Sequence, residues 1–183
     1  MRILGIDPGS SATGYGVVER SQGRLAHVAH GTVRPPRGLP LAVRLDHLYC
    51  TVAEVLASQE PDCVAVETVF VAASPRSALV LGHARGVILA AIAATGLPIN
   101  EYTPARIKRS VTGNGRATKQ QVQAMVKRVL ALERIPPADA ADALAAAISH
   151  ANAGRLESLH TAAQTRGRSG AARRVPFTAR RPR

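Results

Sequence analysis

The sequence predicts an α/β fold, a mixed five-stranded sheet flanked by helices, with a basic tail behind it. Three observations carry this. The first 33 residues hold three short apolar runs separated by turn chemistry. Between 41 and 102, helical stripes alternate with short apolar runs. After 103, three helix starts follow one another.

Arg2–Asp7 reads as a buried strand, and Asp7-Pro8-Gly9-Ser10 is turn chemistry: Pro sets one backbone angle and Gly accepts a positive one. Tyr15–Glu19 and Ala26–Val33 read as the second and third strands, and the short links predict an antiparallel meander. Residues 34–40 form a Pro/Gly-rich loop. Leu41, Leu45, Leu48, Val52, Val55 and Leu56 then mark a helix over Leu41–Ser58, which Pro61-Asp62 breaks. Cys63–Val66 is a central strand ending at Glu67. A strongly apolar helix over Ser77–Thr95 stops at Gly96, and Leu97–Tyr102 is the fifth strand. Thr103-Pro104 caps a helix that ends near Gly113. Thr118 and Gln121 form a capping box for a helix reaching about Leu132. The last helix covers Ala138–Ala153 behind Pro136-Pro137, with Gly154 as its end.

Lys plus Arg number 24 against 12 acids, a net charge of +12, which points to a polyanion and first of all to nucleic acid. The charge is uneven. Residues 155–183 hold eight Arg and one acid, Glu157, or +7, leaving +5 for residues 1–154. Without apolar periodicity, 155–183 is expected to be a disordered tail behind a single domain over 1–154. Cys50 and Cys63 sit in apolar stretches and read as small buried hydrophobes; their spacing suits neither a metal finger nor a disulfide framework. The start lacks the apolar run of a signal peptide. The most apolar stretch, Ser77–Thr95, is interrupted by His83 and Arg85, so a cytoplasmic protein with no membrane partner is expected.

Four acids stand out. Asp7 and Glu67 end apolar strands; Asp139 and Asp142, three apart, share one face at the start of the last helix. Each has an ordinary reading: Asp before Pro-Gly forms turns, and acids near a helix N-terminus favour its dipole. Together they read differently. Strand ends are where α/β proteins gather ligand groups, and crowded carboxylates require cations. Carboxylate oxygens select Mg²⁺ or Mn²⁺, and two such ions about 3.5–4 Å apart form the standard clamp for phosphodiester cleavage. A basic chain with an acidic cluster suits a nuclease.

The motifs around these acids carry a family resemblance. Ile6-Asp7-Pro8-Gly9-Ser10 with Thr13-Gly14-Tyr15-Gly16, Val66-Glu67-Thr68-Val69-Phe70, Ser77-Ala78-Leu79 with Ala84-Arg85-Gly86, Val111-Thr112-Gly113 with Gly115, Ala117 and Lys119–Val122, and Ala138–Ala145 follow one another in order. In this combination, over about residues 1–153, the chain resembles the RuvC family of Holliday junction resolvases. The resemblance implies a ribonuclease H-like fold and a homodimer that nicks opposed strands of four-way junction DNA symmetrically. It also implies metal ligation and catalysis by Asp7, Glu67, Asp139 and Asp142, with two Mg²⁺ (Mn²⁺ as substitute). It further implies a preference for a short thymine-containing cleavage sequence and cooperation with a branch-migration motor of the RuvA and RuvB type. Many members carry Lys and Asn after the Phe70 position, where this chain has Val71-Ala72-Ala73-Ser74-Pro75-Arg76.

Four further residues are DNA-binding candidates. Phe70 is a core anchor or, as the resemblance favours, a residue that stacks or wedges at the crossover. Lys108 and Lys119 flank Gly113-Asn114-Gly115, as solvated helix surface or, in the family reading, as phosphate contacts; Arg76 is a weaker phosphate candidate. His83 and His150 read as structural. Ala78, Gly82, Ala84 and Gly86 permit close helix approach, and the resemblance places this helix at the dimer interface. Two other functions compete with this reading. An ATP-binding domain would share the Asp7-Pro8-Gly9 opening but needs a second lobe, for which the chain is too short. A non-catalytic junction-binding protein would not need four acids at these positions.

Overall fold

The computed structural model describes residues 1–68 and 74–169, with backbone only from 155 onward. The chain divides into a unit Met1–Asn152 and a unit Ala153–Arg183. Its elements are β1 (Arg2–Asp7), β2 (Thr13–Ser21), β3 (Arg24–Val33), α1 (Leu41–Gln59), β4 (Cys63–Glu67), α2 (Pro75–Ala93), β5 (Ile99–Tyr102), α3 (Pro104–Thr112), α4 (Lys119–Val129) and α5 (Ala138–Ser169).

The sheet order is β3-β2-β1-β4-β5. β1, β2 and β3 form the antiparallel meander, and β4 and β5 add in parallel, so the sheet is mixed as the sequence predicts. The β2–β3 link is a two-residue turn, Gln22-Gly23, with positive φ at both positions, the geometry that matches strand twist.

Strand alternation gives the sheet two faces. Leu4, Ile6, Val17, Val64 and Val66 point to one, where Leu48, Val52 and Leu56 of α1 and Ala84, Ile88, Ala91 and Ile92 of α2 complete the core. The other face carries Gly5, Gly14 and Gly16, and α5 lies against it. A Cβ on Gly5 would overlap the carbonyl oxygen of Ala143, and one on Gly14 that of Asp139. Ala143–Ile148 are all at most 1% exposed, so this part of α5 is buried all round, as its uniformly apolar sequence requires.

Several expectations move. α2 begins at Pro75, not Ser77: Ser74 is the N-cap, accepting from the Ser77 N–H, and Pro75 takes the first helical position, where its missing N–H costs nothing. α4 stops at Val129, short of Leu132. Gly154 does not end α5, which runs on to Ser169; residues 170–183 lie outside the described residues. A lone Gly costs a helix only about 1 kcal/mol, and Arg155–Gln164 are mostly good helix formers. Cys63 is buried as expected, but Cys50 is exposed. The buried stripe of α1 is Leu48, Val52 and Leu56, and Cys50, two residues from both Leu48 and Val52, falls on the opposite side. His83 is exposed on α2, whereas His150 is built in, its Nε2 at 3.3 Å from Cys63 Sγ and its Nδ1 at 2.7 Å from Tyr102 Oη. His83 and Arg85 do not take α2 out of the bilayer-spanning range: by length and composition alone, with mean hydropathy 1.3, it is long enough to cross a membrane.

Candidate functional site

Register decides where the acids meet. Asp7 and Glu67 end two neighbouring parallel strands, and both continue the alternation of Gly5 and Ala65, so both belong to the face that α5 covers. Asp7 is paired with Gly14, onto which the Asp139 carbonyl presses, so the first turn of α5 sits directly against the end of β1. Asp142, one turn on, lines a cleft of about 220 Å³ with Glu67, Lys108 and Ile107 of α3, and Lys119 and Val122 of α4.

The turn after β1 is held by its own motif. Thr13, 1% exposed, donates from Oγ1 to the Gly9 carbonyl at 2.9 Å and accepts from the Gly9 N–H at 3.3 Å. Arg44 of α1 donates to the Ser10 carbonyl at 2.7 Å. The strand end that carries Asp7 is thus tied from both sides.

The electrostatics are those of crowded acids. Burial pushes the Asp7 carboxyl up from 3.8 to about 7; the charge of Asp142 adds to the rise, Lys119 opposes it, and Asp139 adds again. Burial pushes Glu67 up from 4.5 to about 8, helped by Asp7 and Asp142 and opposed by Lys108 and Lys119. Two cationic side chains hold the other acids. Lys119 Nζ lies 2.8 Å from Asp142 Oδ2, and this hydrogen bond pushes the ammonium up. Arg34 Nη2 lies 3.3 Å from Asp139 Oδ2. Among the described residues no three His, Cys, Asp or Glu side chains stand close enough together to hold an ion as they are. Like charges repel, and the cations draw two of the four acids to themselves.

The structure therefore brings Asp7, Glu67, Asp139 and Asp142 to one edge, with Lys108 and Lys119 in the same cleft. Arg76, exposed on the first turn of α2, is not part of the cleft lining. Phe70 lies outside the described residues. Sequence reasoning missed Arg34, which it left in a loop, and the part played by Thr13 and Arg44; Thr13 lies in a quoted motif, whereas the two arginines carry no local signal.

A family model described as Crossover junction endodeoxyribonuclease RuvC matches residues 3–150. The chain belongs to the RuvC family. It is 48% identical over 173 residues to the crossover junction endodeoxyribonuclease RuvC of Bordetella avium, covering 94% of this chain and 96% of that one. The RuvC of Thiobacillus denitrificans is 51% identical over 162 residues, 88% of this chain and 94% of its own. Among solved structures, Thermus thermophilus RuvC in complex with a Holliday junction substrate superposes with a TM-score of 0.80 at 34% identity, covering 86% of this chain and 96% of that one. The ribonuclease H-like sheet expected from the sequence is the fold of this RuvC family member.

Proposed function

We propose that this chain resolves Holliday junctions as a structure-specific endonuclease, in recombination and repair, by symmetric paired nicks made in a homodimer. The observation that carries the chemistry is the meeting of two strand-end carboxylates and an i, i+3 pair on α5 beside Lys108 and Lys119. Membership of the RuvC family supplies the substrate.

The donor set fits a hard divalent cation. All four groups are carboxylates; burial first, and then the neighbouring acids, raise Asp7 and Glu67, and Lys119 and Lys108 offset this only in part. Asp7, Glu67, Asp139 and Asp142 would hold Mg²⁺, with Mn²⁺ as substitute and two ions per site. Such ions supply a hydroxide nucleophile near neutral pH and stabilise the leaving oxygen. The chain's own residues do the rest. β1 and β4 fix Asp7 and Glu67 on rigid strand ends. Lys108 and Lys119 reach the phosphate in the cleft, and Arg76 contacts phosphate further out. Phe70 stacks or wedges at the crossover. The face of α2 that carries Gly82 and Gly86, where a Cβ would meet no neighbouring atom within 4 Å, and Leu79, 63% exposed, supports the expected dimer contact. The Arg-rich segment after 154 forms a DNA tether, the motor partner is of the RuvA and RuvB type, and the protein works in the cytoplasm.

A labelled four-way junction and a linear duplex of the same sequence, each with Mg²⁺ or EDTA, test this. Paired nicks in the junction alone, and only with Mg²⁺, are expected. Undiminished nicking in EDTA, or equal cutting of the duplex, would overturn it.

A further inference from the structure

His27 and His30 lie on β3, the outer strand of the sheet, and neither lines the cleft of the acidic cluster. Three residues apart, they belong on opposite faces of a regular strand. The pairing with β2 is not regular. His27 faces Val18 and Ala29 faces Val17, so Val28 has no partner. This bulge inserts one residue and reverses the alternation. After it, His30 faces Gly16, two residues from Val18 and on the face that Leu144 of α5 covers. Both imidazoles thus emerge on the same face, at its open edge.

The rings converge. His27 Nε2 lies 2.8 Å from His30 Nδ1, with ring centroids 4.9 Å apart and planes tilted by 59°. Both side chains are partly exposed, so solvent reaches the gap between them. At that distance one nitrogen donates to the other, with the direction set by the tautomers, so the metal-free pair shares a single hydrogen-bonding proton. Two imidazoles on one tetrahedral metal, at bond lengths of about 2.0–2.1 Å, place their nitrogens roughly 3.3 Å apart. The pair therefore has to open by only about half an ångström to hold an ion in place of the shared proton.

We propose that His27 and His30 form a bidentate site for a borderline-soft divalent cation such as Zn²⁺, Ni²⁺ or Cu²⁺, separate from the carboxylate cluster. His27 Nε2 and His30 Nδ1 are the ligand atoms, so His27 carries its proton on Nδ1 and His30 on Nε2 in the bound form. Solvent completes the coordination. Burial, with the charge of His30 behind it, keeps His27 below its ordinary range and hence in the neutral form a metal needs. Imidazole nitrogen discriminates against Mg²⁺, whereas the four acids favour it, so the two sites sort ions by ligand type.

The test uses the full chain, metal-free and ¹⁵N-labelled, with excess Mg²⁺ present so that the acidic site does not compete for the added ion. Long-range proton–nitrogen spectra of the six histidines are recorded while Zn²⁺ is added. The ring nitrogens of His27 and His30 are expected to move together and to saturate at one ion per chain. His27→Asn should weaken the response of His30 at least about tenfold, and His30→Asn that of His27, because one imidazole alone loses the chelate. His83→Asn should leave both unchanged. Should His27→Asn disturb the amide spectrum of the strand, His27→Gln serves the same purpose. Movement of another histidine at lower Zn²⁺ than this pair would overturn the proposal. So would a His30 response that survives loss of His27 undiminished.

Discussion

Gly14→Ala places one methyl group where the fold has least room for it. The backbone of Gly14 is not in the left-handed region, so the substitution is free of conformational strain. The cost is steric. A Cβ there would overlap the carbonyl oxygen of Asp139 and lie 3.1 Å from the nitrogen of Ala140. Both are helix backbone and cannot rotate away. To restore ordinary contact, the first turn of α5 must lift by more than about 1 Å from a sheet packed at interior density. Overpacking of this kind costs about 1–3 kcal/mol, and in a domain of this size each kcal/mol lowers Tm by roughly 2–4 °C. The same lift moves Asp139 away from Asp7, and a 1 Å misplacement at a reacting centre costs up to about 100-fold in rate. Thermal melts and single-turnover cleavage of a saturating junction, with Gly16→Ala as comparator, measure both effects. At Gly16 the nearest atoms are Leu144 Cγ and Cδ2 at 2.5 and 2.6 Å, which can turn aside; the Leu144 backbone nitrogen at 2.9 Å asks for only a small shift of α5, more than a turn beyond Asp139. Gly16→Ala should therefore lose stability with cleavage largely kept, whereas Gly14→Ala loses both. A Gly14→Ala protein with wild-type cleavage would refute the claim that this contact sets the position of Asp139.

Asp7→Asn, Glu67→Gln, Asp139→Asn and Asp142→Asn should each abolish or strongly reduce nicking while gel shifts show junction binding retained. If binding and cutting fell together in all four, the acids would be structural. Asp7 and Glu67 are acids raised in the folded state, so the fold binds their protons more tightly than the unfolded chain. Without metal, their contribution to stability is complete below about pH 4 and is lost as pH rises through about 7 to 8, by up to about 1.4 kcal/mol per pH unit for each group. Urea titrations of the metal-free protein against an Asp7→Asn, Glu67→Gln variant should show this slope, and saturating Mg²⁺ should flatten it. Ca²⁺ should raise junction affinity in the wild type, and Lys119→Gln should remove that increment. Truncation after Gly154 removes eight Arg and should flatten the dependence of log affinity on log salt, leaving saturating cleavage little changed; an unchanged slope would mean that the segment does not touch DNA.

What the sequence made legible was local. The caps at Thr103-Pro104 and Thr118 with Gln121 appear as read, because a cap is a contact over three residues. The ends of β1 and β4 fall at Asp7 and Glu67, because a charge cannot continue a strand buried on both faces. The i, i+3 relation of Asp139 and Asp142 follows from helix geometry alone. The pairing of Arg34 with Asp139 spans 105 residues, and nothing near either residue announces it. The bulge at Val28 was hidden for a different reason: it depends on how β3 registers against β2, and the apolar run Ala26–Val33 looks the same in either register. The extension of α5 past Gly154 shows that one Gly without a following breaker does not outweigh the helix formers beyond it.

The position of Lys119 links the two halves of the proposed chemistry. Its ammonium is a single charge, and in this structure the Asp142 carboxylate takes it at 2.8 Å, although 54% of the side chain remains exposed. A phosphate entering the cleft between Glu67, Lys108 and Lys119 competes with Asp142 for that charge. Moving Lys119 to the phosphate would take from Asp142 its ion-pair partner while the carboxylate still faces Asp7 and Glu67, which is costly in a partly buried site. On the proposed function, cation binding at the acids would remove that cost and free the lysine. Metal and DNA would then favour one another's binding, and by linkage the coupling would have the same size in both directions. Without Lys119 the acids and the phosphate would still attract opposite charges, but nothing in the cleft would pass from one to the other.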